Sequence, residues 1–290
     1  MRSFGAFLLL LALATSAAGK PGGPSLRSFI QHYDARPSAT PLPAGADRYR
    51  YVFVKGLLGN SYPFYMSRAK NALTRRGAKV EFAPIKTGQG TAYNSAIIEK
   101  MIRETDRPIV FVGHSKGVSD ASDAFGRLAK ADPALLSRNV RGFVAIEGAY
   151  GGSPVADTLA RHGWGRLTMW GLSKLFLGST RSGYDLTTAT RRALVADHPM
   201  PASLVPTISF IGTKKGFFSS QLGPLVYLIK RRLGLASDGL VAARDAAIPG
   251  AVNVGYSLDH RQGAFGKYSE RITVGLVTRL LSAPDLQPAR

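Results

Sequence analysis

The chain has 290 residues, 45% of them hydrophobic and 19% charged, which excludes intrinsic disorder and supplies a core for one large α/β domain or two small ones. There is no cysteine, so disulfide scaffolds, thiol catalysis, thiolate zinc sites and iron–sulfur clusters are excluded. Lys and Arg number 38 against 18 Asp and Glu, and the net charge of +20 favours contact with anionic surfaces while saying little about fold.

Residues 1–18 open with Arg2, continue as an apolar run from 4 to 14, and close on Ser16-Ala17-Ala18, small residues of the kind a signal peptidase reads. The run is about half of the ~20 residues needed to span a bilayer, so a cleaved signal peptide and a secreted or periplasmic mature protein are expected. Residues 19–47, rich in Pro, Gly and Ser, read as an N-terminal arm or linker. From residue 48 the pattern becomes regular. Residues 49–54 (YRYVFV) read as a strand running into the glycine turn 56–59, and 63–76 has helical spacing that stops at Gly77. There follow a strand over 79–85, a helix over 91–104, a strand over 108–112 (PIVFV), a helix over 115–130 and a strand over 140–146. Further strands are predicted over 206–212 and 253–258, and an amphipathic helix over 268–281.

Near-continuously apolar strands separated by helices predict an α/β fold, a mostly parallel central sheet with helices on both faces, filling 48–290. The alternation breaks down over 151–201, which holds both tryptophans and is read as an inserted lid. Its Trp164, Trp170 and Phe176 are the candidate contacts for an apolar part of a substrate.

The chemistry is expected at the turn after the 108–112 strand. Gly113-His114-Ser115-Lys116-Gly117 is a G-x-S-x-G motif with an apolar strand running in and a helix running out. In that setting the motif is a nucleophile elbow, a strained turn that exposes a serine hydroxyl. An ordinary phosphate-cradling turn fits less well, because the glycine spacing matches neither dinucleotide nor P-loop patterns.

A serine hydroxyl becomes nucleophilic only when a base takes its proton, and the base must be held by a carboxylate. Of five histidines, His32 lies in the arm, His114 inside the elbow, and His162 and His198 in the lid. His260 remains, just past the 253–258 strand. An elbow fold orders the partners Ser, then acid, then His, which favours Asp238 in Ser237-Asp-Gly-Leu-Val241. Asp259 is a rival, but a carboxylate rarely turns back onto the adjacent imidazole; Asp245 is a weaker one. The oxyanion hole needs two backbone N–H donors, expected from Lys116 and from Leu57 after the first strand.

With these residues in place the chain resembles the α/β-hydrolase superfamily, and within it bacterial triacylglycerol lipase-like secreted hydrolases, over roughly residues 49–281. The likeness rests on Val54-Lys-Gly-Leu57, Gly113-His-Ser-Lys-Gly117, Gly152-Ser-Pro-Val-Ala-Asp157, Ser237-Asp-Gly-Leu-Val241 and Asp259-His260. Such lipases usually carry His-Gly in the first of these segments, where this chain has Lys55-Gly56. The resemblance implies Ser115, Asp238 and His260 as the triad of a carboxylic ester hydrolase acting on lipid or other esters. The same triad suits an amidase, a peptidase or a polyester depolymerase. A reading from a different class is a non-catalytic basic protein bound to an anionic membrane or envelope surface. No cofactor or metal is required by the triad mechanism, and no aromatic-interleaved basic pattern points to nucleic acid.

Overall fold

The computed structural model describes residues 41–161, 179–214 and 222–282. Six strands form one sheet: β1 (Arg50–Val54), β2 (Lys79–Phe82), β3 (Ile109–His114), β4 (Val140–Ile146), β5 (Thr207–Gly212) and β6 (Val252–Tyr256). They pair in the order β2-β1-β3-β4-β5-β6, every pair parallel. The expected α/β architecture is therefore present, with a sheet that is parallel throughout. Parallel neighbours need crossover connections, and the helices supply them: α1 (Ser67–Thr74), α2 (Thr91–Arg103), α3 (Lys116–Ala131), α4 (Pro133–Asn139), α5 (Pro154–Arg161), α6 (Thr180–Tyr184), α7 (Thr188–Asp197), α8 (Gly223–Leu233), α9 (Ala243–Ala246) and α10 (Gly266–Ser282).

Successive side chains of a strand point to opposite faces, and that alternation splits the core in two. Tyr51, Phe53, Val110, Val112, Val144 and Ile146 pack beneath α1 and α10, against Leu73, Ile272 and Leu276. Val52, Val54, Phe111, Phe143 and Ala145 pack on the other face against Ile98 and Ile102 of α2 and Phe125 and Leu128 of α3. Strands buried on both sides read as unbroken apolar runs, which is why the sequence placed them well.

Element ends differ where local geometry intervenes. The helix expected from residue 63 begins at Ser67, because Phe64 and Met66 hold left-handed backbone (φ 63° and 54°) that cannot continue into a helix. The strand expected to reach residue 85 ends at Phe82, ahead of Pro84. The seven-residue helix α4 has no long periodicity to read; Asp132 caps it by accepting the Leu135 N–H at 2.9 Å, with Pro133 opening the first turn. Lys230, Arg231 and Arg232 stand in the last turn of α8, where cations meet the negative end of the helix dipole. Trp164, Trp170 and Phe176, the lid residues singled out in the sequence, and residues 1–40 lie outside the described residues; the rest of 151–201 contains α5, α6 and α7. Among the described residues no helix is long and apolar enough to cross a membrane.

Candidate active site

β3 delivers the chain to the elbow. Ser115 sits between β3 and α3 with φ 57° and ψ −126°, a conformation costly for a residue with a side chain. Neighbours on both sides hold it there. The Ser115 N–H donates to Ile146 O at 3.1 Å, and Ser115 O accepts from Val118 and Ala149. The helix must leave the elbow hard against β1, and Gly117 allows it: a Cβ there would lie 2.2 Å from Val54 O.

Three groups expected from the sequence meet at this point. His260 Nε2 accepts from Ser115 Oγ at 2.8 Å, and His260 Nδ1 donates to Asp238 Oδ2 at 2.7 Å. Asp238 is itself fixed, its Oδ1 accepting the N–H groups of Leu240 and Val241 at 2.9 and 2.8 Å. The His260 N–H donates to Asp238 O at 3.0 Å, so backbone as well as side chain ties His260 to Asp238. Asp259 is occupied differently. Its Oδ1 accepts from the Arg261 and Gln262 N–H groups and shapes the turn that carries His260. Asp245 lies in α9, and its backbone carbonyl accepts the Gly151 N–H.

The N–H groups of Leu57 and Lys116 have no acceptor among the described residues. Lys116 opens α3, so its amide belongs to the positive end of a sixteen-residue helix. The Lys116 side chain turns away, fully buried, with Nζ 2.7 and 2.8 Å from the two oxygens of Asp120. Burial raises the Asp120 pKa, and the ammonium beside it acts in the opposite direction. The turn at Gly56 works by space rather than by an unusual backbone. A Cβ on Gly56 would lie 2.5 Å from Tyr65 Oη and 2.7 Å from Ser115 Cβ, and it is Leu58 that takes the left-handed conformation (φ 56°).

A second layer of polar groups, not anticipated from the sequence, lies directly beneath. The Gly56 N–H donates to Tyr65 Oη at 3.1 Å, and Tyr65 Oη donates to His114 Nδ1 at 2.6 Å. His114 Nε2 then donates to His260 O at 3.0 Å, with Glu147 Oε2 at 3.2 Å. Burial and the nearby His260 push His114 well below the usual histidine range, so the ring is neutral and this donor–acceptor direction is consistent throughout. Burial likewise keeps the Tyr65 phenol protonated. One chain of hydrogen bonds thus joins the Gly56 loop, the elbow and the His260 loop. The ligand atoms of His114, Glu147 and His260 lie within 4.8 Å of one another. Each ring nitrogen is already committed to a partner named above, which leaves none to hold an ion.

Glu147 is the unusual member. It is fully buried just past β4, with φ 48°, and its Oε1 has no hydrogen-bond partner among the described residues. Burial raises its pKa well above the glutamate range, and the carboxylates of Asp238 and Asp259 raise it further. The consequence for stability has a definite sign. The unfolded chain ionises Glu147 near about pH 4.3, whereas the folded chain keeps it protonated, so stability falls as pH rises from that range toward the folded pKa. Glu147→Gln removes the titration and is expected to raise Tm at pH 7, with the gain vanishing as the pH drops through the ordinary glutamate range. Thermal melts of both proteins from pH 4 to 8 check this; a stability difference that stays constant across that range would contradict the raised pKa.

Ser115 and His260 open into a cavity of about 690 Å³, within the range of small-molecule sites. Leu57, Leu58, Tyr62 and Phe265 line it together with Val155, Ala156 and Leu159 of α5. The predicted lid segment thus contributes α5 to the wall.

The sequence pointed to Ser115, Asp238 and His260 and missed Tyr65 and Glu147. Glu147 had one signal, an acid directly after the apolar run of β4. Tyr65 had none, since it sits in an irregular turn.

With this geometry in view, comparison with known proteins gives a consistent result. No family model matches the chain, and no curated protein sequence matches it. Solved structures do. A metagenomic carboxyl esterase shares 25% identity at a TM-score of 0.65, covering 95% of this chain and 86% of its own. A Bacillus licheniformis lipase in its mature form shares 23% identity at 0.58, covering 87% and 96%. The Staphylococcus hyicus lipase shares 12% at 0.59, covering 86% and 98%. The chain has the α/β-hydrolase fold. Within that fold, the structures it is similar to are bacterial lipases and esterases.

Proposed function

We propose that the protein hydrolyses carboxylic esters with an apolar acyl group, through an acyl-enzyme on Ser115. The observation that carries this reading is the hydrogen-bonded series Asp238–His260–Ser115, whose Ser115 and His260 line a largely apolar cavity. Ser115 Oγ attacks the ester carbonyl carbon while His260 Nε2 takes its proton. The C–O bond to the alcohol then breaks, and His260 gives the proton to the leaving oxygen. Water, deprotonated by the same nitrogen, releases the acid and restores Ser115. Asp238 holds Nδ1–H, fixes the tautomer and stabilises the imidazolium. The N–H groups of Leu57 and Lys116 receive the oxyanion, and the positive end of α3 adds to their effect.

Ester chemistry is preferred over amide chemistry because of the likeness to a carboxyl esterase and to lipases. The substrate is a lipid or another ester with an apolar acyl chain, and export through a signal peptide over residues 1–18 places the enzyme outside the cytoplasm. An acyl series tests it. The wild type is expected to prefer medium acyl chains over acetate. Ala156→Phe, which fills space in the cavity wall, should lower kcat/KM for octanoate esters by about 10–200-fold, the worth of a few kcal/mol of lost fit. Acetate esters should be nearly unaffected, and equal losses at every chain length would contradict the acyl assignment.

A further inference from the structure

One charged side chain at the cavity has no role in the mechanism above. Arg261 immediately follows the catalytic histidine and lines the same cavity. Its backbone is pinned: the N–H donates to Asp259 Oδ1 at 3.0 Å, and the carbonyl accepts from Ala264 and Phe265 at 3.2 and 2.9 Å. Its guanidinium lies over the Phe265 ring, 6.0 Å from the centroid, and Phe265 in turn meets Tyr62 edge-on at 6.5 Å. The head group makes no ion pair and no side-chain hydrogen bond among the described residues. No Asp or Glu lines the cavity, and the neighbouring Asp259 carboxylate forms no ion pair with Arg261, its Oδ1 accepting the backbone N–H groups of Arg261 and Gln262. The stretches 162–178 and 215–221, which adjoin cavity-lining residues in sequence, contain no Asp or Glu either. A guanidinium is always charged and presents a planar fork of donors matched to carboxylate and phosphate.

Its position says which part of a substrate it meets. His260 Nε2 must lie beside the leaving oxygen in order to protonate it, and Arg261 follows it in the same turn and lines the same cavity. The acyl portion is left the wall of Val155, Ala156 and Leu159, which carries no charge. Resting on the ester-hydrolase reading, we propose that Arg261 binds an anionic group on the alcohol side of the substrate. The preferred substrates are then acyl esters of anionic alcohols, an apolar tail joined to a phosphate- or carboxylate-bearing head.

The test compares matched octanoate esters: octanoylglycerol against octanoylglycerol phosphate, and the ester of 4-nitrophenol against that of a carboxylated nitrophenol. The wild type is expected to favour the anionic member of each pair in kcat/KM, and rising salt should erode that preference. In Arg261→Gln the anionic-to-neutral ratio should fall about tenfold, the scale of one charge-assisted hydrogen bond at an exposed residue. Arg261→Lys should keep part of the ratio, because a point charge remains without the fork. Preference in the phosphate pair alone identifies a phosphorylated head, and preference in the carboxylate pair alone a free acid. A wild-type ratio near one in both pairs, or a ratio that survives in Arg261→Gln, overturns the assignment of Arg261 while leaving ester hydrolysis intact. Failure of the wild type to cleave any of the four esters overturns the ester reading, and this inference with it.

Discussion

Ser115→Ala is expected to lower kcat for ester hydrolysis by about 10⁴–10⁶, the loss typical of removing a triad nucleophile. The residual rate would come from the oxyanion donors and from binding, which the substitution leaves in place. Stability should barely move. The hydroxyl faces the cavity and its hydrogen bond runs to His260, while the backbone bonds that hold the elbow, to Ile146, Val118 and Ala149, do not involve the side chain. The variant should therefore melt within about 0.5 kcal/mol of wild type. Rate and thermal melt together separate a lost nucleophile from a lost fold. Near-wild-type turnover in the variant would remove Ser115 from the mechanism.

The second large effect is expected at the acid. Asp238→Asn should cost about 10⁴ in kcat, because an amide in that position favours the imidazole tautomer that cannot accept the Ser115 proton. The fold should tolerate the change, as the amide oxygen still accepts the Leu240 and Val241 N–H groups. Asp259→Asn is the informative comparison. Its carboxylate holds the turn at Arg261 and Gln262 rather than the imidazole, so the loss in rate should be far smaller. Steady-state rates for the two variants decide between them, and the opposite ranking would make Asp259 the acid.

The two kinds of residue in this site differ in how they are written in the sequence. Ser115 was legible because it directly follows the apolar strand β3, and His260 because it lies just past β6; Asp238 was reached through its order between them along the chain. Their order along the chain follows from the fold, and an apolar run buried on both faces leaves little doubt about where a strand lies. Tyr65 and Glu147 act by contact across the fold, and contacts are not periodic. Tyr65 reaches His114 from 49 residues away, out of a turn where Phe64 and Met66 adopt left-handed backbone that no simple pattern announces. His114 was passed over as part of the elbow, although its ring joins the Gly56 loop to the His260 loop. The reason for Gly56 was not legible either. The residue is small because Tyr65 Oη and Ser115 Cβ crowd it, which only the folded chain reveals. Helix ends were displaced by similarly local causes, and α4 was too short for its spacing to register.

The central claim, that Ser115 is a nucleophile activated by His260, is tested most directly by covalent capture. A fluorophosphonate probe reacts with an activated serine by displacing fluoride and forming a phosphonate ester on its Oγ, and peptide mass mapping locates the adduct. The expected result is a single adduct on Ser115 in the folded protein, with labelling slowed by orders of magnitude in His260→Ala. An adduct on a different residue, or labelling of Ser115 that proceeds as fast without His260, would contradict the account.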